Sequence, residues 1–317
     1  MKPNNLEISD NTIINRIKAC IFGHAIGDAL GLATEFMSRQ EVQKNYPNGV
    51  NSYNDIVQDH HRRRWKKGSW TDDTEQMLCI FDSLIKHRDL NLKDIASNFV
   101  FWKENNGMGI GRHTLNLLNI SEYTDKPFEA SELLWNMSRK QAAPNGGIMR
   151  TSILGCWNYK NIDAVCSNAE NVCKLTHFDP RCTGSCVIIC YIISSVLQKL
   201  PFTKENLIEI AKKYDSRIIE YIELAFQPEI SLLKLDESSS IGYTLKTMCA
   251  ALWAYNYGTD YFSGLKTIIE QGGDADTNGA VAGALLGVKF GYDAIPTHLT
   301  NYLIGHEELE KRIEILF

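Results

Sequence analysis

From Asn11 onward, Ile13, Ile14, Ile17, Ile21 and Ala25 recur at helical spacing while Gly23, Gly27 and Gly31 thin one face. The pattern predicts a buried helix that another element approaches closely. Asp28 falls within the small-residue face, where a buried carboxylate needs partners. It either bonds amides at a neighbouring helix start or stands behind a metal site. Glu35 follows at the predicted helix end. A second stripe, Met77, Leu78, Phe81, Leu84 and Ile85, comes after Ser69 and Asp72, whose spacing fits a capping box.

The same period predicts helices over 92–102, from just after Arg181 through the run Cys186 to Leu197, over 207–226 and over 244–257, with a charged helix over 296–317. Residues 39–67 read as irregular and residues 1–10 as a frayed polar terminus. No stretch alternates at period two for long enough to demand a strand, and no fixed repeat is visible. The expected architecture is all-α, a single compact orthogonal helical bundle over 11–317, with its site where helix N-termini converge.

Composition narrows the function classes. With 317 residues, 44% of them hydrophobic, the chain can bury a large core, and a net charge of −5 argues against a general nucleic-acid binder. The start MKPNNLEISD has no apolar signal region, and Cys186 to Leu197 is too short and serine-interrupted to span a bilayer. A cytoplasmic protein without a membrane partner is therefore expected. Nine cysteines with no CxxC pair fit reduced thiols. Cys182, Cys186 and Cys190, at intervals of four, read as core packing.

Candidate chemistry centres on Gln271 to Gly287. Asp274 and Asp276 would diverge by about 200° on a regular helix, so they converge only in the turn that Gly272 and Gly273 permit. Asp276 or Thr277 is the expected N-cap. Oxygen ligands at a rigid helix start suit Mg²⁺ or Mn²⁺, although a lone Asp there would only complement the helix dipole. Thr71, Asp72 and Asp73 repeat the pattern at another helix start. The two turns together offer four carboxylates and two hydroxyls to a pair of divalent ions. The glycine turns at 105–114 and 144–150 would let backbone amides approach a phosphate, with Arg150 available to a carboxylate or phosphate. The basic run from Arg62 to Lys67 is either a solvated loop or a clamp for an anion, and His177 either a ligand contact or a structural cap.

Six ordered blocks, GHAIGDALGLATEF, SWTDDTEQ, GIGRHT, NGGIMRTS, THFDP and QGGDADTNGAVAGALLG, resemble the ADP-ribosylglycohydrolase family from Gly23 to Gly291. That family includes the dinitrogenase reductase-activating glycohydrolases and the ADP-ribosylarginine hydrolases. The resemblance implies an all-α enzyme with two Mg²⁺ or Mn²⁺ ions, ligated here by Thr71, Asp72, Asp73, Asp274, Asp276 and Thr277. Glu35 matches the acidic residue near the substrate ribose. Gly109, Gly111, Asn145, Gly146, Gly147 and His177 match the loops that hold ADP-ribose. The implied activity is hydrolysis of the bond between ribose C1″ and a modified protein side chain, foremost arginine, with release of ADP-ribose.

One departure qualifies this. Many family members carry an Asp where Gly109 stands, and that acid is implicated in handling the arginine-linked substrate. Either another carboxylate takes its place or the linkage preference differs. Gly109 also motivates a second reading, an immunity-type relative that holds ADP-ribose, or a cognate ADP-ribosyltransferase or toxin, without turnover. A two-metal phosphohydrolase is the third.

Overall fold

A computed structural model describes residues 10–317, and every regular element among them is helical, with one antiparallel bridge between Pro144 and Tyr243. The expected frayed terminus lies outside the described residues except for Asp10, which opens the first helix. In chain order the α-helices are α1 (Asp10–Gly31), α2 (Arg39–Asn45), α3 (Asp72–His87), α4 (Leu92–Asn105), α5 (Arg112–Leu118), α6 (Pro127–Met137), α7 (Ser152–Cys156) and α8 (Ile162–Lys174). They continue as α9 (Pro180–Leu197), α10 (Lys204–Lys212), α11 (Arg217–Ala225), α12 (Thr244–Tyr257), α13 (Tyr261–Ile269), α14 (Ala275–Phe290), α15 (Thr297–Asn301) and α16 (His306–Leu316).

The small-residue face of α1 has its partner in α14. Ala19 lies against Gly287, Gly23 against Gly283, Gly27 against Gly279 and Gly31 against Ala275, so the two helices run antiparallel with their backbones in contact. A methyl group at Gly27 would overlap the Gly279 carbonyl. This register brings the C-terminal end of α1 to the N-terminal end of α14. Gly27→Val is expected to cost at least about 2 kcal/mol through overpacking. Urea unfolding measures it, and an unchanged midpoint would mean the helices do not meet there.

α9 crosses the interior and packs against α7, α8 and α12, with Cys182, Cys186 and Cys190 buried. Among the described residues it is the one helix long and apolar enough to cross a membrane, and most of it is buried inside the bundle.

Three expected elements differ. The helix over 207–226 is broken, because Asp215 accepts the Arg217 amide at 2.9 Å and turns the chain between α10 and α11. The helix over 296–317 is split into α15 and α16, with Gly305, at φ of +90°, in the turn between them as the N-cap of α16. The irregular stretch 39–67 contains α2, which Ser38 and Glu41 start with a capping box.

Candidate active site

Gly272 and Gly273, with φ of +73° and +69°, make the turn that enters α14. It pairs with the segment leaving α1, since the Phe36 amide donates to the Gly273 carbonyl at 2.6 Å and the Gly273 amide to Met37 at 2.8 Å. Glu35 is thereby held beside Asp274 and Asp276, with carboxylate oxygens of all three within 4.8 Å of one another. The N-cap of α14 is Asp274, not Asp276 or Thr277 as its sequence suggests. The bend at residues 272–273 starts the helix earlier, so the cap falls two residues before Asp276.

The start of α3 also differs from expectation. Its N-cap is Thr71, and no side-chain cap bond comes from its own sequence. Asp28 does that work from α1. It accepts the amides of Thr71 and Thr74, each at 3.0 Å, and their hydroxyls at 2.8 and 2.6 Å. The buried carboxylate thus docks the second acidic turn onto the first helix. Asp28, Asp73 and Asp276 have carboxylate oxygens within 4.8 Å of one another.

Asp72, Asp73, Asp274, Asp276, Thr277 and Glu35 line one cleft of about 330 Å³. Gly109, Gly111, Asn145, Gly146 and His177 line it too, joined by Arg112 and His113. Three expected residues are not on its wall. Thr71 lies beneath, donating to Asp28 at 2.8 Å and to Asp73 at 3.3 Å. Asp28 is fully buried behind it, and Gly147 packs against Cys173.

Burial drives the carboxyl pKa values upward, and the neighbouring negative charges add to it. Asp28 is pushed up to about 6 by burial, against the donors from Thr71 and Thr74 that pull it down. Asp274 reaches about 6 through burial and Glu35, while Asp72, Asp73 and Asp276 stand well above the ordinary range. Among the described residues no donor reaches Asp73 Oδ1, which is buried. An unpaired buried anion of this kind is costly unless a cation compensates it. An all-oxygen donor set with surplus negative charge fits hard divalent ions.

The glycine loops are held from below. Asn145 donates to Asp274 at 2.7 Å and to Thr247 at 3.0 Å, tying the loop to the acidic turn. Arg150 is fully buried and bonds Gln76 and Thr176 beside the Phe99 ring, so it is not available to a ligand. Its role is internal. Thr176 Oγ1 accepts from this guanidinium, and among the described residues the one acceptor in reach of its own hydrogen is His177 Nδ1, 2.7 Å away. The His177 proton then sits on Nε2, a buried donor without an acceptor among the described residues, beside Gly146. Burial holds His177 well below the usual imidazole pKa, so it is neutral. Where Gly111 would carry a Cβ there is nothing within 4 Å, which leaves the loop backbone open.

Arg62, expected in a solvated loop or an anion clamp, is instead an internal donor, and His61 just before the run is a site residue that sequence reasoning missed. Arg62 is buried and donates to the carbonyls of Leu32, at 2.8 Å, and Glu35, at 2.5 Å, and pairs with Asp59. His61 Nε2 lies 2.6 Å from Glu35 Oε2, and Arg64 donates to His61 Nδ1 at 2.6 Å. The His61 proton is therefore on Nε2 and is donated to Glu35. The other Glu35 carboxylate oxygen meets no protein donor among the described residues. A basic stretch so near two acidic turns was the available signal. Arg62→Met is expected to cost about 2 kcal/mol, because two carbonyls lose charge-assisted donors. Urea unfolding reads it, and an unchanged midpoint would show that the turn holds without Arg62.

Comparison with known proteins gives the same outline. A family model described as ADP-ribosylglycohydrolase matches residues 9–317. The chain is 24% identical to the ADP-ribosylarginine hydrolase Tri1 of Serratia proteamaculans, over 98% of this chain and 81% of that protein. It is 25% identical to the ADP-ribosyl-[dinitrogen reductase] glycohydrolase of Rhodospirillum rubrum, over 96% and 95%. A solved structure described as an ADP-ribosylglycohydrolase-related protein complex superposes with a TM-score of 0.77 at 26% identity, covering 96% of this chain and 98% of that one.

Proposed function

Since this chain belongs to the ADP-ribosylglycohydrolase family, whose members are ADP-ribosyl glycohydrolases, we propose that its substrate is an ADP-ribosylated arginine on a protein. Water adds its oxygen to ribose C1″, the bond from C1″ to the guanidino nitrogen breaks, and that nitrogen takes a proton. Free ADP-ribose and unmodified arginine leave. The observation that carries this reading is the convergence of Asp72, Asp73, Asp274 and Asp276 on one cleft beside Glu35, with Asp28 buried behind them.

Glu35 is the catalytic carboxylate in this scheme. With one oxygen taken by His61, the other is free to accept the proton of the attacking water or to face positive charge developing at C1″. Two divalent ions, Mg²⁺ or Mn²⁺, held by Asp72, Asp73, Asp274, Asp276 and Thr277 with Thr71 and Asp28 beneath, would supply Lewis acidity and a template for the ribose hydroxyls. The open backbone at Gly111 and the His177 Nε2 donor hold the diphosphate end. A second chamber of about 720 Å³, sharing Arg112, His113, Pro144, Ile241 and Gly242 with the cleft, has room for adenosine.

Gly109 supports the second reading, binding without turnover. Its φ is +95°, and a side chain there would run into Asp72 Oδ1, so this backbone does not take the Asp found in many relatives. Mass spectrometry of products from defined arginine- and serine-linked ADP-ribosyl peptides, with and without chelator, separates the readings. Intact ADP-ribose released from the arginine peptide and lost on chelation is the expected result. No release from any conjugate would leave only binding, and a cleaved diphosphate would mean a phosphohydrolase.

A further inference from the structure

Phe36 is placed at a local cost that packing does not repay. Its φ is +61°, a left-handed conformation that a bulky residue rarely adopts, and the residue is 55% exposed. Glycine would sit in this turn without strain, and a polar side chain would suit the exposure. The conformation is enforced by the paired bonds to Gly273, which also seat Glu35. The ring lines the cleft immediately after Glu35.

Behind Phe36 runs a row of planar groups. Its ring centroid lies 5.3 Å from that of His61, and His61 lies 5.4 Å from Trp65. At the outer end the Arg64 guanidinium sits 4.4 Å from the Trp65 ring centroid. The row already holds one guanidinium on an aromatic face, and its inner end, at Phe36, is open to the cleft.

We propose that the open face of Phe36 is the docking platform for the guanidino group of the modified arginine, and that it makes this site prefer arginine linkages over serine linkages. The inference rests on the proposed function and deepens it. Phe36 directly follows Glu35 and lines the same cleft, so in the proposed scheme the group attached to C1″ has this ring beside it. A substituted guanidinium is planar and keeps its positive charge, so it gains from an aromatic face. A serine-linked oxygen gains nothing there. On the facing loop Gly109 has no side chain, and Asp72 crowds the space one would need. Recognition of the cation therefore falls to the aromatic wall.

Binding can be read without turnover in a Glu35→Gln background, by calorimetry with arginine-linked and serine-linked ADP-ribosyl peptides of one sequence and with free ADP-ribose. The expected result is a roughly three- to tenfold preference for the arginine peptide, erased by Phe36→Gly and kept by Phe36→Trp. The affinity for free ADP-ribose should change less than the preference does. Phe36→Gly relieves the left-handed strain, so a folded variant is available, and its thermal midpoint should be no lower. A preference that survives Phe36→Gly, or no preference at the outset, overturns this inference alone. A protein that binds neither peptide nor ADP-ribose, and whose wild type cleaves nothing, overturns the proposed function and this inference together.

Discussion

Glu35→Gln lowers kcat on an ADP-ribosylarginine substrate by about 10²- to 10⁴-fold, the range expected for loss of a positioned general base or acid. The substitution keeps shape and removes charge. His61 Nε2 can still donate to an amide oxygen where it now meets Glu35 Oε2 at 2.6 Å, and Arg62 still holds the residue 35 carbonyl. Binding geometry is therefore retained while proton acceptance and the negative charge facing C1″ are lost. Steady-state kinetics on a defined peptide should show kcat and kcat/KM falling together with KM little changed, the signature of an interaction made in the transition state. ADP-ribose affinity, read by calorimetry, stays near the wild-type value. A loss of less than about fivefold would remove Glu35 from the chemistry and leave the binding reading ahead, because no positioned acid or base gives so little.

The second large effect is on stability. Metal-free protein should lose thermal stability as pH rises from about 4.5 to 7.5, and Mg²⁺ or Mn²⁺ should restore it at the upper end. The sign follows from where the protons are. Burial pushes Asp28 and Asp274 up to about 6 in the folded chain against an ordinary value of 3.8, so between those values the folded state binds protons that the unfolded chain has released. That stabilisation is complete below the unfolded pKa and disappears as pH climbs through the folded one. Raising a carboxyl from 3.8 to about 6 corresponds to about 3 kcal/mol, and Asp274, partly open to solvent, contributes less than Asp28. Asp72, Asp73 and Asp276, shifted in the same direction by burial and mutual repulsion, extend the loss to higher pH. Asp94 works the other way. Hydrogen bonds from Lys86 and His87 outweigh its partial desolvation and hold it down to about 2, so its effect falls below this window. Ions and protons compete for the same oxygens, so the increase in melting temperature on adding ions should shrink toward pH 5. Circular dichroism melts across this range with and without chelator are the check. A melting temperature indifferent to both ions at every pH would mean the acidic cleft is not a metal site.

What could be read from the chain beforehand was whatever repeats locally. The stripe that starts at Ile13, the helix over 244–257 and both acidic turns announce themselves through spacing alone, and all four are present. The hidden parts are contacts between segments far apart. Asp28 caps a helix 43 residues away, which no local pattern encodes, so the sequence suggested Ser69 for a task that α1 performs. Arg150, following a glycine turn, reads as available to a carboxylate or phosphate, yet the turn folds it inward onto Gln76. Phe36 could not be singled out at all, since a positive φ leaves no mark on the identity of a phenylalanine.

The backbone contact between Gly27 and Gly279 also bears on how the protein is made, because about 250 residues separate the two. A ribosome adding residues one by one exposes the glycine face of α1 long before α14 exists to cover it. The pocket cannot assemble piecemeal during synthesis. Its halves close late, through a long-range encounter, and until then the growing chain leaves that face uncovered.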